Sequence, residues 1–337
     1  MPPKKPGIYL ADYNDCKTFF DKFCTAISAS KPDHAFNPFS NVNTRFFKAA
    51  AQGKEESKEL STVRALFGVM DSLEHDKEFR VCRNALEMAL LDLWGEIAKI
   101  STAELILGAG EWNISKPTYY TIAMNSDLEE MKSSAKFGLQ HTPYLKLKMD
   151  KNVAFWTTWL PQLHAVCTEL TQGRSGLAKL NGFEKSFVWS VDANADWSPE
   201  VAHQMLALLT PYKDIISMVE QPFGAHLEEG ETEAWKVVKE KFGAAGFEIY
   251  ADESVSTSAD LPTLQAICHG VNIKLDKAGG VREALRIWQD AQEKFGLGVW
   301  IGIMVSSRLS TTMASCILPL STLGGDLDGQ LLVLTES

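Results

Sequence analysis

Hydrophobic spacing changes character part-way along the chain. Up to about Leu107 the apolar positions recur at helical intervals, with loops read at Lys31–Asn43 and Gln52–Ser57. The clearest segment is Cys82–Ile97. There Leu86, Ala89, Leu90, Leu93 and Trp94 fall on one helical stripe, and Glu87 and Asp92 lie off it. From about Tyr119 short β-rich runs alternate with amphipathic stretches. The strand candidates are YYTIAM, YLKLKM, SFVWSVDA, IISMVEQP, FEIYADES, VNIKLDK and GVWIGIMV. Helices are expected at Asp127–Lys136, Pro199–Leu209, Glu233–Phe242 and Val281–Phe295. Roughly seven strand–helix units imply a parallel sheet, and a closed barrel is its economical form. Gly108, Gly110 and Pro117 place a domain boundary within residues 108–118.

Composition narrows the classes. At ~150 residues per domain, 337 residues allow one large barrel or two ordinary domains. Lys plus Arg number 33 against 43 Asp plus Glu, a net charge of −10, which argues against nucleic-acid or polybasic membrane-surface partners. The six cysteines show no C-x-x-C spacing and read as mostly buried thiols in a reducing compartment. Asp12 cuts off any apolar region after the N-terminal lysines, so no signal peptide is read, and Val299–Val305 is too short to cross a bilayer. A soluble, cytoplasmic protein is expected. No phosphate-binding glycine loop or paired-histidine motif is present. Gly279-Gly280 reads as a tight turn, His269 as a turn or core residue, and Trp156, Trp159 and Trp235 as packing against the barrel.

Barrel chemistry sits where strands end and βα loops begin. Those ends carry Lys146 and Lys148, Asp192 and Asn194, Glu220, Asp252 and Glu253, then Lys274 and Lys277. Each has an ordinary explanation alone: an Asx turn at Asp192, a loop-end charge at Glu220, a helix cap at Asp252, an exposed-strand lysine at Lys146. The ordered set, lysines flanking carboxylates on successive strands, is what points to chemistry. Removing a proton α to a carboxylate builds a dianionic enediolate, which needs a divalent cation beside it. Asp192, Glu220 and Asp252 offer hard oxygen ligands suited to Mg²⁺. Lys146 and Lys148 share one strand face, and Lys274 comes from the opposite wall, the arrangement for inverting a stereocentre. Close ammonium groups and a cation are expected to push a lysine pKa down, as a neutral base near pH 7 requires.

The stretches RNALEMALLDLWGEI, YLKLKMD, DANADW, VEQP, ADES and NIKLDKAGG, with the C-terminal GGDLDGQ, together resemble the enolase superfamily. Within it the chain is most similar to the dipeptide epimerases of the muconate-lactonizing subgroup, from about Arg83 to Leu332. The resemblance implies an α/β fold: a modified TIM barrel, (β/α)₇β, with an α+β capping domain that looks truncated at both chain ends. Residues 1–112 would be the N-terminal, mostly helical and incomplete part of the cap, and 113–337 the barrel. It further implies Asp192, Glu220 and Asp252 as ligands of one Mg²⁺ per subunit, with Lys148 and Lys274 as the acid/base pair. Lys146 would assist Lys148 and touch the substrate carboxylate. Asp326 and Asp328 would hold a dipeptide's ammonium, and Thr121, with Ile303 and Val305 on the seventh strand, would contact substrate.

Three departures stand out: Ser306 where many relatives carry an acid, Gln330 where they carry proline, and no strand meander at the start. The expected reaction is epimerisation at the α-carbon of a dipeptide's C-terminal residue, by a small-molecule enzyme compatible with a homo-oligomer. Rival reactions are cycloisomerisation, o-succinylbenzoate synthesis or N-acylamino acid racemisation, which need no ammonium clamp. A non-catalytic metal-binding barrel is the rival of another class.

Overall fold

The computed structural model describes residues 13–29, 33, 36–42, 45–51, 57–73, 79–108, 115–174, 176–225 and 229–329. The expected 112/113 junction, Gly110 and Gln330 lie outside them. Among the described residues five helices come first: α1 (Tyr13–Ala29), α2 (Lys48–Ala51), α3 (Lys58–Ser72), α4 (Arg80–Ala98) and α5 (Thr102–Leu107). Serine hydroxyls start two of them. Ser57 Oγ accepts from Leu60 N (3.2 Å) and Ser101 Oγ from Glu104 N (3.1 Å), each satisfying an amide the helix leaves open. Phe39, Phe47, Phe67 and Trp94 form the aromatic centre of this region.

The α4 stripe is rotated from the one expected. Asn84, Glu87, Met88 and Leu91 face inward, while Leu93 is 42% exposed and Glu87 only 1%. Helical spacing located the helix but not its second contact face. α4 packs on α3 with one side and on the barrel with the other, and on the barrel side Glu87 receives Arg282.

The barrel follows as β1 (Tyr120–Ile122), α6 (Leu128–His141), β2 (Tyr144–Lys148), α7 (Val153–Leu170), a hairpin of β3 (Ala178–Leu180) and β4 (Phe183–Lys185), and β5 (Val188–Asp192). It continues as α8 (Pro199–Leu209), β6 (Ile216–Glu220), α9 (Glu229–Ala244), β7 (Ile249–Ala251), α10 (Leu261–Ile267) and β8 (Gly270–Lys274). The last elements are α11 (Leu275–Ala278), α12 (Val281–Gln289), β9 (Gly298–Gly302), α13 (Arg308–Ile317) and β10 (Gly325–Asp326). The inserted β3–β4 hairpin was not expected, and the helix expected to reach Phe295 changes at Asp290 into a wider π-type turn.

Eight parallel strands form one sheet in the order β1-β2-β5-β6-β7-β8-β9-β10. A bridge between Thr118 and Gly325 joins its ends, with Tyr119 N donating to Gly325 O (2.8 Å) and Gly325 N to Pro117 O (3.0 Å). The result is a (β/α)₇β barrel. Leu145, Leu147, Trp189, Val191, Val271 and Ile273 point outward into the helix layer, where Trp156, Trp159 and Trp235 are also buried. Alternate residues point inward. At the base Tyr119, Val188, Met218, Tyr250 and Trp300 form a separate apolar cluster. Gly298 makes that base fit: a Cβ there would lie 2.2 Å from the Tyr250 hydroxyl. Two residues beyond Met218 and Tyr250 the inward positions are charged, at Glu220 and Asp252.

Gly279 and Gly280 both have positive φ (80° and 137°) and make the expected tight turn between α11 and α12. Among the described residues no helix is long and apolar enough to cross a membrane.

Candidate active site

Strand register brings the charged ends level. Lys148 pairs with Asp192, Asp192 with Glu220, and Lys274 with Gly302, which also pairs with Asp326. Asp252 follows the last residue of β7. β2 and β8 stand four places apart in a ring of eight, so Lys148 and Lys274 rise from opposite walls.

Lys146 is fully buried at the centre. Its Nζ lies 2.9 Å from Asp192 Oδ2, 2.7 Å from Glu220 Oε2 and 2.8 Å from Asp326 Oδ2, to which it donates a hydrogen bond. Lys148, nearer the rim, contacts Asp192 Oδ2 at 2.5 Å. On the far wall Lys274 donates to Asp252 Oδ2 (2.7 Å), and Lys277 donates to the Asp252 carboxylate and carbonyl.

The remaining expected positions fall at the same mouth. Thr121 N donates to Asp328 Oδ2 (2.5 Å). Asp326 Oδ1 accepts from Trp300 Nε1 (2.7 Å), so both Asp326 oxygens are engaged within the protein. Ile303 and Val305 lie beyond the end of β9 rather than on it, because the ladder stops where the two-residue β10 ends. Ile303 is buried and Val305 is 51% exposed.

Burial pushes the Lys146 and Lys274 pKa values down, but the carboxylates around them outweigh it, and both end above the ordinary lysine value. Each of these two ammonium groups faces more negative charge than positive. Burial raises Asp192 and Asp252, and the lysines overcome it and hold both below the usual range. Glu220 goes the other way, pushed up to about 8 by burial and then by Asp192. Its Oε2 has the Lys146 ion pair but no hydrogen bond.

The family described as "Enolase C-terminal domain-like" matches residues 182–327. An enolase superfamily member of Dictyostelium discoideum is 36% identical over 361 aligned positions, which cover 99% of this chain and 78% of that one. The chain belongs to the enolase superfamily. An N-acetyl-D-glutamate racemase of Pseudoalteromonas is 29% identical over 75% of this chain and 69% of its own length. Among solved structures, a dipeptide epimerase of Enterococcus faecalis, complexed with Mg and L-Leu-L-Tyr, superposes with a TM-score of 0.63. It is 23% identical and covers 81% of this chain and 70% of that one. Both of these relatives are isomerases.

The donor set of this enolase superfamily barrel suits a hard divalent cation. Lys146, Lys148, Lys274 and Lys277 face the six carboxyl groups of Asp192, Glu220, Asp252, Glu253, Asp326 and Asp328. All donors are oxygens, and Glu220 is the least compensated. Among the described residues no three His, Cys, Asp or Glu side chains are already gathered into a cage; lysine ammonium groups stand between the carboxylates.

Three supporting residues escaped the sequence reading. Gln221, buried with φ 39°, accepts from Asp252 N (2.8 Å) and donates to Ser254 Oγ (2.8 Å), fastening the end of β6 to that of β7. Asn272 Nδ2 donates to Glu220 Oε1 (2.6 Å). Trp300 holds Asp326. Gly302 leaves room for both partners: a Cβ there would lie 2.6 Å from Asn272 Oδ1 and 2.7 Å from Asp326 Oδ1. Asn272 and Trp300 each lie two residues before an inward strand end, so the strand period alone would have marked them.

Proposed function

We propose that this chain epimerises dipeptides by 1,1-proton transfer at the α-carbon of the C-terminal residue. The observation that carries the reading is two lysines on opposite barrel walls with buried carboxylates on the strands between them. Asp192, Glu220 and Asp252 would hold one Mg²⁺ per subunit, which when bound supplies positive charge against that building on the substrate carboxylate. One of Lys148 and Lys274 removes the α-proton and the other returns it to the opposite face of the planar enediolate. Lys146 keeps the carboxylates spaced and presents its charge to the substrate. Asp326 and Asp328 accept hydrogen bonds from the dipeptide ammonium, and Thr121, Ile303 and Val305 shape the side-chain pocket. Residues 1–112 are assigned as cap and 113–337 as barrel.

The test is ¹H NMR of L,L-dipeptides in D₂O with Mg²⁺. Loss of the C-terminal α-proton signal, with the L,D diastereomer appearing, is expected. No exchange with any dipeptide, from a folded protein, would sink the reading.

A second reading, racemisation of N-acylamino acids, draws on the engagement of both Asp326 oxygens by Lys146 and Trp300 and on the similarity to N-acetyl-D-glutamate racemase. Asp328→Asn separates the two. It raises KM for dipeptides if Asp328 holds an ammonium, and leaves N-acetylated substrates unchanged.

A further inference from the structure

We propose that Cys16 and Cys82 are a modification site, oxidised to a reversible disulfide by a small disulfide of the glutathione class, which staples α1 to α4. Cys16 lies in the first turns of α1 and Cys82 in the first turn of α4. Their sulfurs are 3.0 Å apart although the residues are 66 positions apart in sequence. They meet inside a small apolar cluster of Phe19, Leu73, Phe79 and Leu86, separate from the main core. Cys268 and Cys316 behave differently: each thiol turns back to the carbonyl one helical turn earlier, at 3.2 and 3.4 Å.

The two thiols have unequal access, which sets the order of events. Cys16 is half-buried and reachable by a small oxidant, whereas Cys82 is 1% exposed. Cys16 as thiolate attacks one sulfur of the oxidant, forming a mixed disulfide and releasing one glutathione thiol. Cys82 then loses its proton and attacks the Cys16 sulfur, releasing the second. Two protein thiols are oxidised by two electrons, and one oxidised glutathione is reduced to two thiols. Burial and the neighbouring Cys16 push the Cys82 thiol up, so it stays protonated at rest. The Cys16 contribution disappears once Cys16 is in the mixed disulfide. α4 also carries Asn84 and Glu87, which grip the barrel at Asp276 and Arg282, so the staple connects α1 to the helix that docks on the barrel.

The experiment equilibrates the reduced full-length chain with excess oxidised glutathione, quenches in acid, alkylates under denaturing conditions and maps peptides without reduction. Cys24, which is exposed, serves as internal control for simple glutathione adducts. The expected result is a Cys16–Cys82 linked peptide and a melting temperature raised by about 5 °C, reversed by dithiothreitol and absent in Cys16→Ser. Cys82 remaining alkylatable, or Cys16 stopping as a glutathione adduct while Cys24 reacts normally, would overturn it.

Discussion

The joint between α4 and the barrel and the mouth of the barrel both take full charges out of water, and they differ in how completely those charges are answered. At the joint Arg282, 5% exposed, donates through Nε to Glu87 Oε2 (3.0 Å) and through Nη1 to Asp71 Oδ2 and Pro38 O (both 2.9 Å). Its Nη2 reaches Asp71 Oδ1 (2.9 Å), and the guanidinium lies over the Phe67 ring, 4.9 Å from the centroid. Glu87 Oε1 takes the Arg282 amide (2.8 Å). Arg282, Glu87 and Asp71 thus answer one another, and a cavity of about 480 Å³ lined by Phe36, Val42, Arg80 and Arg286 opens beside them. At the mouth, carboxylates outnumber ammonium groups and Glu220 is pushed up to about 8. A closed network is a fastening. One left short of positive charge is suited to a ligand.

That contrast breaks first at the lysines. Lys148→Ala or Lys274→Ala is expected to lower kcat for α-proton exchange by roughly 10³-fold, about 4 kcal/mol, with a near-unchanged urea midpoint. Unimpaired exchange in both would remove the mouth as the site. Arg282→Met is expected to cost about 3 kcal/mol in urea unfolding, because Glu87 and Asp71 lose their shared partner in a buried setting. A loss below about 1 kcal/mol would mean that α4 docks by packing alone. Mg²⁺ at about 100 times its dissociation constant should stabilise the protein by about 2.7 kcal/mol, and Glu220→Gln should weaken that gain. Equal stabilisation in the variant would place the ion elsewhere.

The smallest effect concerns acid. Burial raises the Asp71 carboxyl, but Arg282 and Arg83 outweigh it and hold it below the ordinary value. A depressed carboxylate contributes stability that is complete above its unfolded pKa, about 4, and is lost as pH falls through the folded value. Stability measured from about pH 5 down to pH 3 should therefore fall more steeply in the unaltered chain than in Asp71→Asn. Parallel curves would show that Asp71 adds nothing to the joint.

The barrel was legible because its strands are buried on both faces and end in charge. Strand period and order placed Lys146, Lys148, Asp192, Glu220, Asp252 and Lys274 together before any contact was known. What period cannot carry is which second face a helix uses, and so Glu87 and Leu93 were exchanged on α4. Nor does local sequence count the charges a group will meet from other strands. Lys146, read as an assistant to Lys148, is surrounded by three carboxylates from β5, β6 and β10. The β3–β4 hairpin was missed because three-residue strands flanked by Gly176 and Gly182 give no alternation long enough to read.

The seam of the barrel also sets a schedule for its making. Thr121 and Asp328 meet across 207 residues, and Lys146 finds Asp326 across 180. On a ribosome releasing the chain from its N-terminus, Lys146 emerges long before the carboxylate and seam that complete its surroundings. Until residue 325 is free, β1 has an open edge and the ring cannot close. Contacts of such long range make folding slow and the unfinished sheet prone to pairing with other chains. The sheet is therefore most exposed to misassembly during the last stretch of synthesis, when seven of its strands are available and the eighth is not.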